Sequence, residues 1–222
     1  MNFNGFSCYL KKMKLKKINE KLALALSENG IETPNEIQKD CFSTLKSGAD
    51  AVVIMPKGGG KSTTIVYTVI QKLEKSVGES TRALIFVKDK EAVLEMEEMF
   101  LKFGVYTDLS ILGVHDKGDI DYDKNVISMG LDILIGTPNK INTLFSTAGF
   151  NMNTVKLLIV DDADELFKAR MDAIILRLSN SVEKTQRLFF SENLTERVEV
   201  LADKIMLEPF LFGVEDYDED EE

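Results

Sequence analysis

The sequence predicts an α/β fold: an open, mostly parallel sheet flanked by helices on both faces. Three observations carry the prediction. First, six short apolar runs recur along the 222 residues: Ala51–Met55, Ala83–Val87, Leu109–Leu112, Ile133–Ile135, Leu157–Val160 and Leu188–Phe190. Each is rich in Val, Ile, Leu or Phe, which is how strands covered on both faces read, and such strands belong to parallel sheets. Second, longer amphipathic stretches separate them, and strand–helix alternation of this kind builds a sheet wrapped by helices. Third, the residues with unusual chemistry stand just after the apolar runs, at the strand ends where open sheets bind ligands.

Taken in order, a helix is expected over Leu15–Asn29, ending at Asn29-Gly30, where glycine suits a helix end. The first strand, Ala51–Met55, leads into a helix over Lys61–Lys75. Ala83–Val87 leads into Glu91–Phe103, and Ile133–Ile135 into Pro138–Phe145. Leu157–Val160 feeds one long helix, Ala163–Leu178, and Leu188–Phe190 feeds Thr195–Lys204. Residues 14–213 are expected to form one domain, between a basic segment, 1–13, and an acidic ending, 214–222.

The formal net charge is −10, but the last eight residues hold seven carboxylates, so the rest carries only −3. At the other end Lys11, Lys12, Lys14, Lys16 and Lys17 fall within seven residues. Such ends are usually solvated, and the basic one suits a phosphate backbone. Cys8 and Cys41 suggest neither a disulfide framework nor a zinc site, and a cytoplasmic, reducing setting is expected. With one histidine, His115, a histidine-rich metal site is not expected. No apolar run approaches the length of a membrane span.

The stretch "MPKGGGKSTT", residues 55–64, lies between the first strand and its helix. Glycines let a backbone curl until successive N–H groups point at phosphate oxygens, and the helix N-terminus adds its dipole. This is a P-loop, with Lys57, Gly58, Gly59, Gly60, Lys61, Ser62 and Thr63 as candidate nucleotide-binding residues. Lys61 would reach the β and γ phosphates and Ser62 would help hold Mg²⁺. Met55 stands where the strict pattern has its first glycine. A P-loop also needs a magnesium-binding carboxylate at another strand end. "LLIVDDADEL", residues 157–166, supplies Asp161.

Taken together with "GIETPNEIQ", residues 30–38, "GTPNK", residues 136–140, and "TQRLFFSEN", residues 185–193, these motifs resemble the first RecA-like domain of DEAD-box RNA helicases. The resemblance covers the body from about Met13 to Phe212 and implies a single RecA-like P-loop domain that binds ATP with Mg²⁺. "GIETPNEIQ", residues 30–38, looks like that family's Q motif, which makes Gln38 the residue that reads adenine. "VDDAD", residues 160–164, stands where the family has DEAD. "GTPNK", residues 136–140, stands where it has a TPGR motif touching RNA backbone, which implies contacts at Thr137, Pro138 and Lys140. "TQRLFFSEN", residues 185–193, ends where it has SAT. The resemblance makes Asp162 and Lys61 catalytic and makes Asp164 and Ser191 the pair that couples hydrolysis to strand separation.

The sequence also departs from the family. The aromatic residue that stacks on adenine is Met13 here, a softer platform. Where the family has PTREL this chain has Lys88-Asp89-Lys90-Glu91-Ala92, and Asp89 would repel phosphate. Lys140 keeps the charge of an arginine but loses its fork. Asp162 replaces the glutamate that orients water, and Glu192-Asn193 replace the end of SAT. The family closes a second RecA-like domain that supplies arginine fingers, worth about 10³–10⁵ in related systems. None of Arg82, Arg170, Arg177, Arg187 and Arg197 lies in a motif like that domain's HRIGR. Two functions are therefore expected as alternatives. One is a module that binds ATP or ADP, and weakly RNA, with little or no turnover and no unwinding by itself. The other is an active helicase subunit completed by a second RecA-like domain on a partner chain or in a dimer.

Overall fold

The computed structural model describes residues 14–77 and 80–214; the basic segment 1–13 with Met13, and the acidic residues 215–222, lie outside them. Among the described residues seven strands form one sheet: β1 Ala51–Ile54, β2 Ala83–Phe86, β3 Ile111–Val114, β4 Ile133–Gly136, β5 Leu157–Val160, β6 Gln186–Ser191 and β7 Phe210–Phe212. Their order is β3-β4-β2-β5-β6-β1-β7, and each pairing is parallel.

Alternate strand residues point to opposite faces, and both faces are apolar. Val53, Ile85, Ile133, Ile159 and Phe190 enter a core with helices α1 Glu20–Glu28, α2 Glu36–Ser47, α3 Lys61–Leu73 and α4 Lys90–Phe103. Val52, Leu84, Leu134, Leu158 and Phe189 enter a second core. It is covered by α5 Ile120–Ser128, α6 Pro138–Ser146, α7 Ala163–Lys168, α8 Asp172–Ser179 and α9 Glu196–Ile205. Burial on both sides is why the strands lack polar alternation.

The single helix expected over Ala163–Leu178 is two. Arg170 adopts φ +65, its N–H donates to Phe167 O, and the Met171 N–H donates to Leu166 O. That is the bond pattern of a left-handed helix stop, usually marked by glycine; an arginine in that place gives no sequence signal. Gly30, at φ +79, makes the same stop after α1, where the sequence did signal it. The apolar runs and amphipathic stretches of the sequence do not mark α2, α5 or β7. For α2 a signal existed: the Asn35 side chain accepts from the Gln38 N–H and the Gln38 side chain from the Asn35 N–H, a reciprocal cap.

Candidate nucleotide site

The phosphate loop leaves the carboxyl end of β1 and turns back at Gly60, the N-cap of α3. Gly58 and Gly60 have φ of +77 and +85, conformations that favour glycine. At Gly60 a Cβ would also lie 2.7 Å from Gln38 Nε2. Gln38 is buried behind the loop, and its amide donates to Thr64 Oγ1 at 3.1 Å and Gly60 O at 3.4 Å. Asn35 Nδ2 donates to Gly59 O at 2.7 Å. The cap of α2 thus also holds the loop. Met55, in place of the pattern's first glycine, is fully buried with its sulfur 3.8 Å from Thr64 Oγ1.

The sheet order sets β6 between β1 and β5, so three strand ends meet at one cavity of about 690 Å³. Lys57, Gly58, Gly60, Lys61, Ser62, Thr63, Asp161 and Asp162 line it. Lys61 Nζ donates to Asp162 Oδ1 and lies 3.8 Å from Asp161 Oδ1. Burial opposes the charge of Lys61, yet the hydrogen bond to Asp162 and the charge of Asp161 hold its pKa above the ordinary lysine value. Burial, then the charge of Asp162, pushes the Asp161 carboxyl up to about 7. A buried carboxylate so poorly compensated suits a cation. Magnesium takes one or two carboxylates and completes its shell with phosphate oxygens and water, and Asp161 and Ser62 stand in the same cavity wall. No cluster of three or more acidic, histidine or cysteine ligands occurs among the described residues.

Asp162 is the N-cap of α7, at φ +50 and ψ +50. Aspartate is among the few non-glycine residues that tolerate this left-handed region. Asp164 N–H donates to Ser191 Oγ at 3.2 Å, and Asp164 Oδ2 accepts from Asn193 at 3.2 Å. The structure therefore joins the loop after β5 to the loop after β6 through Asp164 and Ser191. Asn193, which replaces a family residue, takes part in that junction.

The loop after β4 is arranged differently. Thr137 is buried, and its Oγ1 donates to Asp116 Oδ1 at 3.2 Å. Pro138 opens α6. Lys140 is only 5% exposed; its Nζ lies 2.8 Å from Asp123 Oδ2 and donates to Gly118 O at 2.7 Å. The ammonium that the resemblance assigns to RNA points inward. Asp89, at the loop after β2, accepts from the Ala92 N–H at 2.9 Å and caps α4.

Lys88 is one of the strand-end residues the sequence points to, with no ligand-binding role assigned there, and it also reaches the cavity. It lines the cavity, 3.2 Å from Asp162 Oδ2. The available signal was its place directly after the Ala83–Val87 run. No helix among the described residues is long and apolar enough to cross a membrane.

A family model described as DEAD/DEAH box helicase matches residues 35–200. The ATP-dependent RNA helicase eIF4A of Lodderomyces elongisporus is 25% identical over 181 residues, 81% of this chain and 45% of that protein. The DEAD-box ATP-dependent RNA helicase CshC of Bacillus cereus is 24% identical over 201 residues, 90% of this chain and 51% of that protein. The crystal structure of a DEAD box protein from the hyperthermophile Methanococcus jannaschii superposes with a TM-score of 0.81 at 20% identity, covering 88% of this chain and 54% of that one. The chain spans about half the length of these relatives.

Proposed function

The chain belongs to the DEAD/DEAH box helicase family, and from that premise we propose that it binds ATP or ADP with Mg²⁺ in the cavity beside Lys61, with weak or no hydrolysis and no unwinding by itself. One observation carries the reading: the loop glycines, Lys61, Ser62 and Asp161 converge on one cavity although a hundred residues of sequence separate Lys61 from Asp161. In this reading Lys61 leaves Asp162 for the phosphates, and the N–H groups of the loop and of the first turn of α3 bind phosphate oxygens. Asp161 and Ser62 would hold magnesium, which when bound would supply positive charge against the phosphates. Gln38 reads the adenine edge or, through its bonds to Gly60 and Thr64, sets the loop against which adenine lies. Met13 is the proposed platform on its other face.

Weak turnover follows from two features. Asp162 is one methylene shorter than the family's glutamate, and misplacement by about 1 Å can cost a hundredfold in rate. The described residues form one RecA-like domain, whereas arginine fingers come from another. RNA contact, in this proposal, falls on Thr137, Pro138 and the first N–H groups of α6 and is weak, because the Lys140 charge is held by Asp123. Asp164 and Ser191 carry any coupling between the two sites.

The test is steady-state ATPase activity of the purified chain with Mg²⁺, with and without single-stranded RNA, beside a thermal-shift titration with ATP. An ATP-induced shift with negligible turnover is expected. No shift and no turnover would overturn nucleotide binding. RNA-stimulated turnover at rates typical of an active ATPase would establish the second reading, an active subunit completed by a partner chain or a dimer.

A further inference from the structure

Among the described residues, the wall of the nucleotide cavity carries six carboxylates and four lysines. A nucleotide adds negative charge to that wall. Lys61, the loop's own cation, is already engaged by Asp161 and Asp162. When Lys61 turns to the phosphates, Asp162 loses one of its two partners.

The other partner is Lys88, which stands where the family resemblance places a proline. Its position follows from strand register. Phe86 of β2 pairs with Val160 of β5, so two residues further on Lys88 comes level with Asp162. Asp162 then lies between two ammonium groups, Lys61 on Oδ1 and Lys88 on Oδ2. Lys88 Nζ also lies 2.9 Å from Glu165 Oε2. The hydrogen bond to Glu165, with that to Asp162, raises its pKa above the ordinary lysine value, so it is cationic throughout the physiological range. Its side chain is 40% exposed and faces the cavity, so the ammonium can meet a ligand without unfolding anything.

We propose that Lys88 is a second phosphate-site cation, which neutralises Asp162 and Glu165 beside the loop and makes the cavity favour a nucleoside triphosphate over a diphosphate. The inference rests on the nucleotide-binding reading of this cavity. In this proposal discrimination arises from position: the loop cradles the inner phosphates, and a terminal phosphate reaches past them toward Asp162 and Lys88, which pair with each other at the cavity wall. Without Lys88, two carboxylates would face that phosphate unneutralised.

The experiment is titration calorimetry with ATP and with ADP, each with Mg²⁺, on the wild-type chain and on Lys88→Ala, Lys88→Gln and Lys88→Arg. Lys88→Ala and Lys88→Gln should each lower ATP affinity about fivefold to tenfold, the scale of one charge-assisted contact at a half-exposed site, and ADP affinity less than about twofold. Lys88→Arg should restore most of the difference, and added salt should shrink it. An equal loss for both nucleotides, or no loss for either, would overturn the inference while leaving nucleotide binding intact. A wild-type chain that binds neither nucleotide would overturn the reading beneath it. Lys88→Gln keeps two of the four stem methylenes and a polar end, so the comparison survives if Lys88→Ala fails to fold.

Discussion

Two acid–base clusters sit at opposite ends of the same sheet. At the amino ends of the strands, Asp132 precedes β4, Arg82 precedes β2 and Ser110 precedes β3. Asp132 is 1% exposed and accepts from Arg82 Nε at 3.1 Å, from the Ser110 N–H and hydroxyl, both at 3.0 Å, and from the Val77 N–H. The guanidinium also donates to the carbonyls of Leu73 and Lys75. The chain supplies a full set of partners, and no ligand is needed. At the carboxyl ends, Lys61, Lys88, Asp161 and Asp162 pair with one another along a cavity wall. In the proposed function those pairs are exchanged for phosphate and metal. The difference teaches that buried charge marks function only where it borders space.

Breaking the closed cluster should have the largest effect. Asp132→Ala removes the carboxylate that balances the Arg82 charge and leaves the Ser110 N–H without its acceptor, and should destabilise the fold by about 3–5 kcal/mol, read from urea unfolding. The same cluster predicts a pH dependence. Burial opposes the charge of Asp132, but hydrogen bonds from Ser110 and Arg82 outweigh it and hold the carboxyl below its ordinary value. A depressed carboxyl contributes stability above its unfolded pKa of about 3.9, lost as pH falls through the folded value. The advantage of the wild type over Asp132→Asn should therefore be constant near neutrality and shrink below about pH 4.

At the open cluster the loss should appear in binding rather than folding. Lys61→Ala should reduce ATP affinity by about 10- to 100-fold, the worth of a hydrogen bond to a charged group, with little change in unfolding midpoint. Calorimetric titration with ATP and Mg²⁺ checks it.

Lys140 sharpens the comparison, because it stands at the ligand end yet is closed like the far cluster. Lys140→Met should cost about 1–3 kcal/mol of stability by leaving Asp123 unpaired, and should change the affinity for single-stranded RNA less than about twofold. Fluorescence anisotropy with labelled RNA reads the second quantity. A clear loss of RNA affinity at unchanged stability would show that the pair opens to RNA.

The smallest effect is expected at Asp162. Lengthening it to glutamate should raise ATP turnover by up to about tenfold, part of the geometric deficit, since the left-handed backbone at this position resists a longer side chain. A phosphate-release assay measures it, and an unchanged rate would place the deficit with the arginine fingers.

Some of the molecule was legible residue by residue. The apolar runs announced strands buried on two faces, and "GGGKS" after such a run announced a phosphate loop. "VDDAD" after another put Asp161 and Asp162 on the same cavity as that loop. These signals are local: a strand covered on both faces must be apolar throughout, and a loop curled around phosphate must have glycine at positive φ. What the sequence could not show was decided by neighbours. Arg170 ends a helix without glycine, because the bonds of the stop hold it there. Lys140 and Lys88 look alike as lysines after strands, but Asp123 takes one inward, while the register of β2 on β5 sets the other beside Asp162. A charge is read from the chain; its partner is fixed only when distant strands pair, because screening and burial depend on the space around the group rather than on its identity.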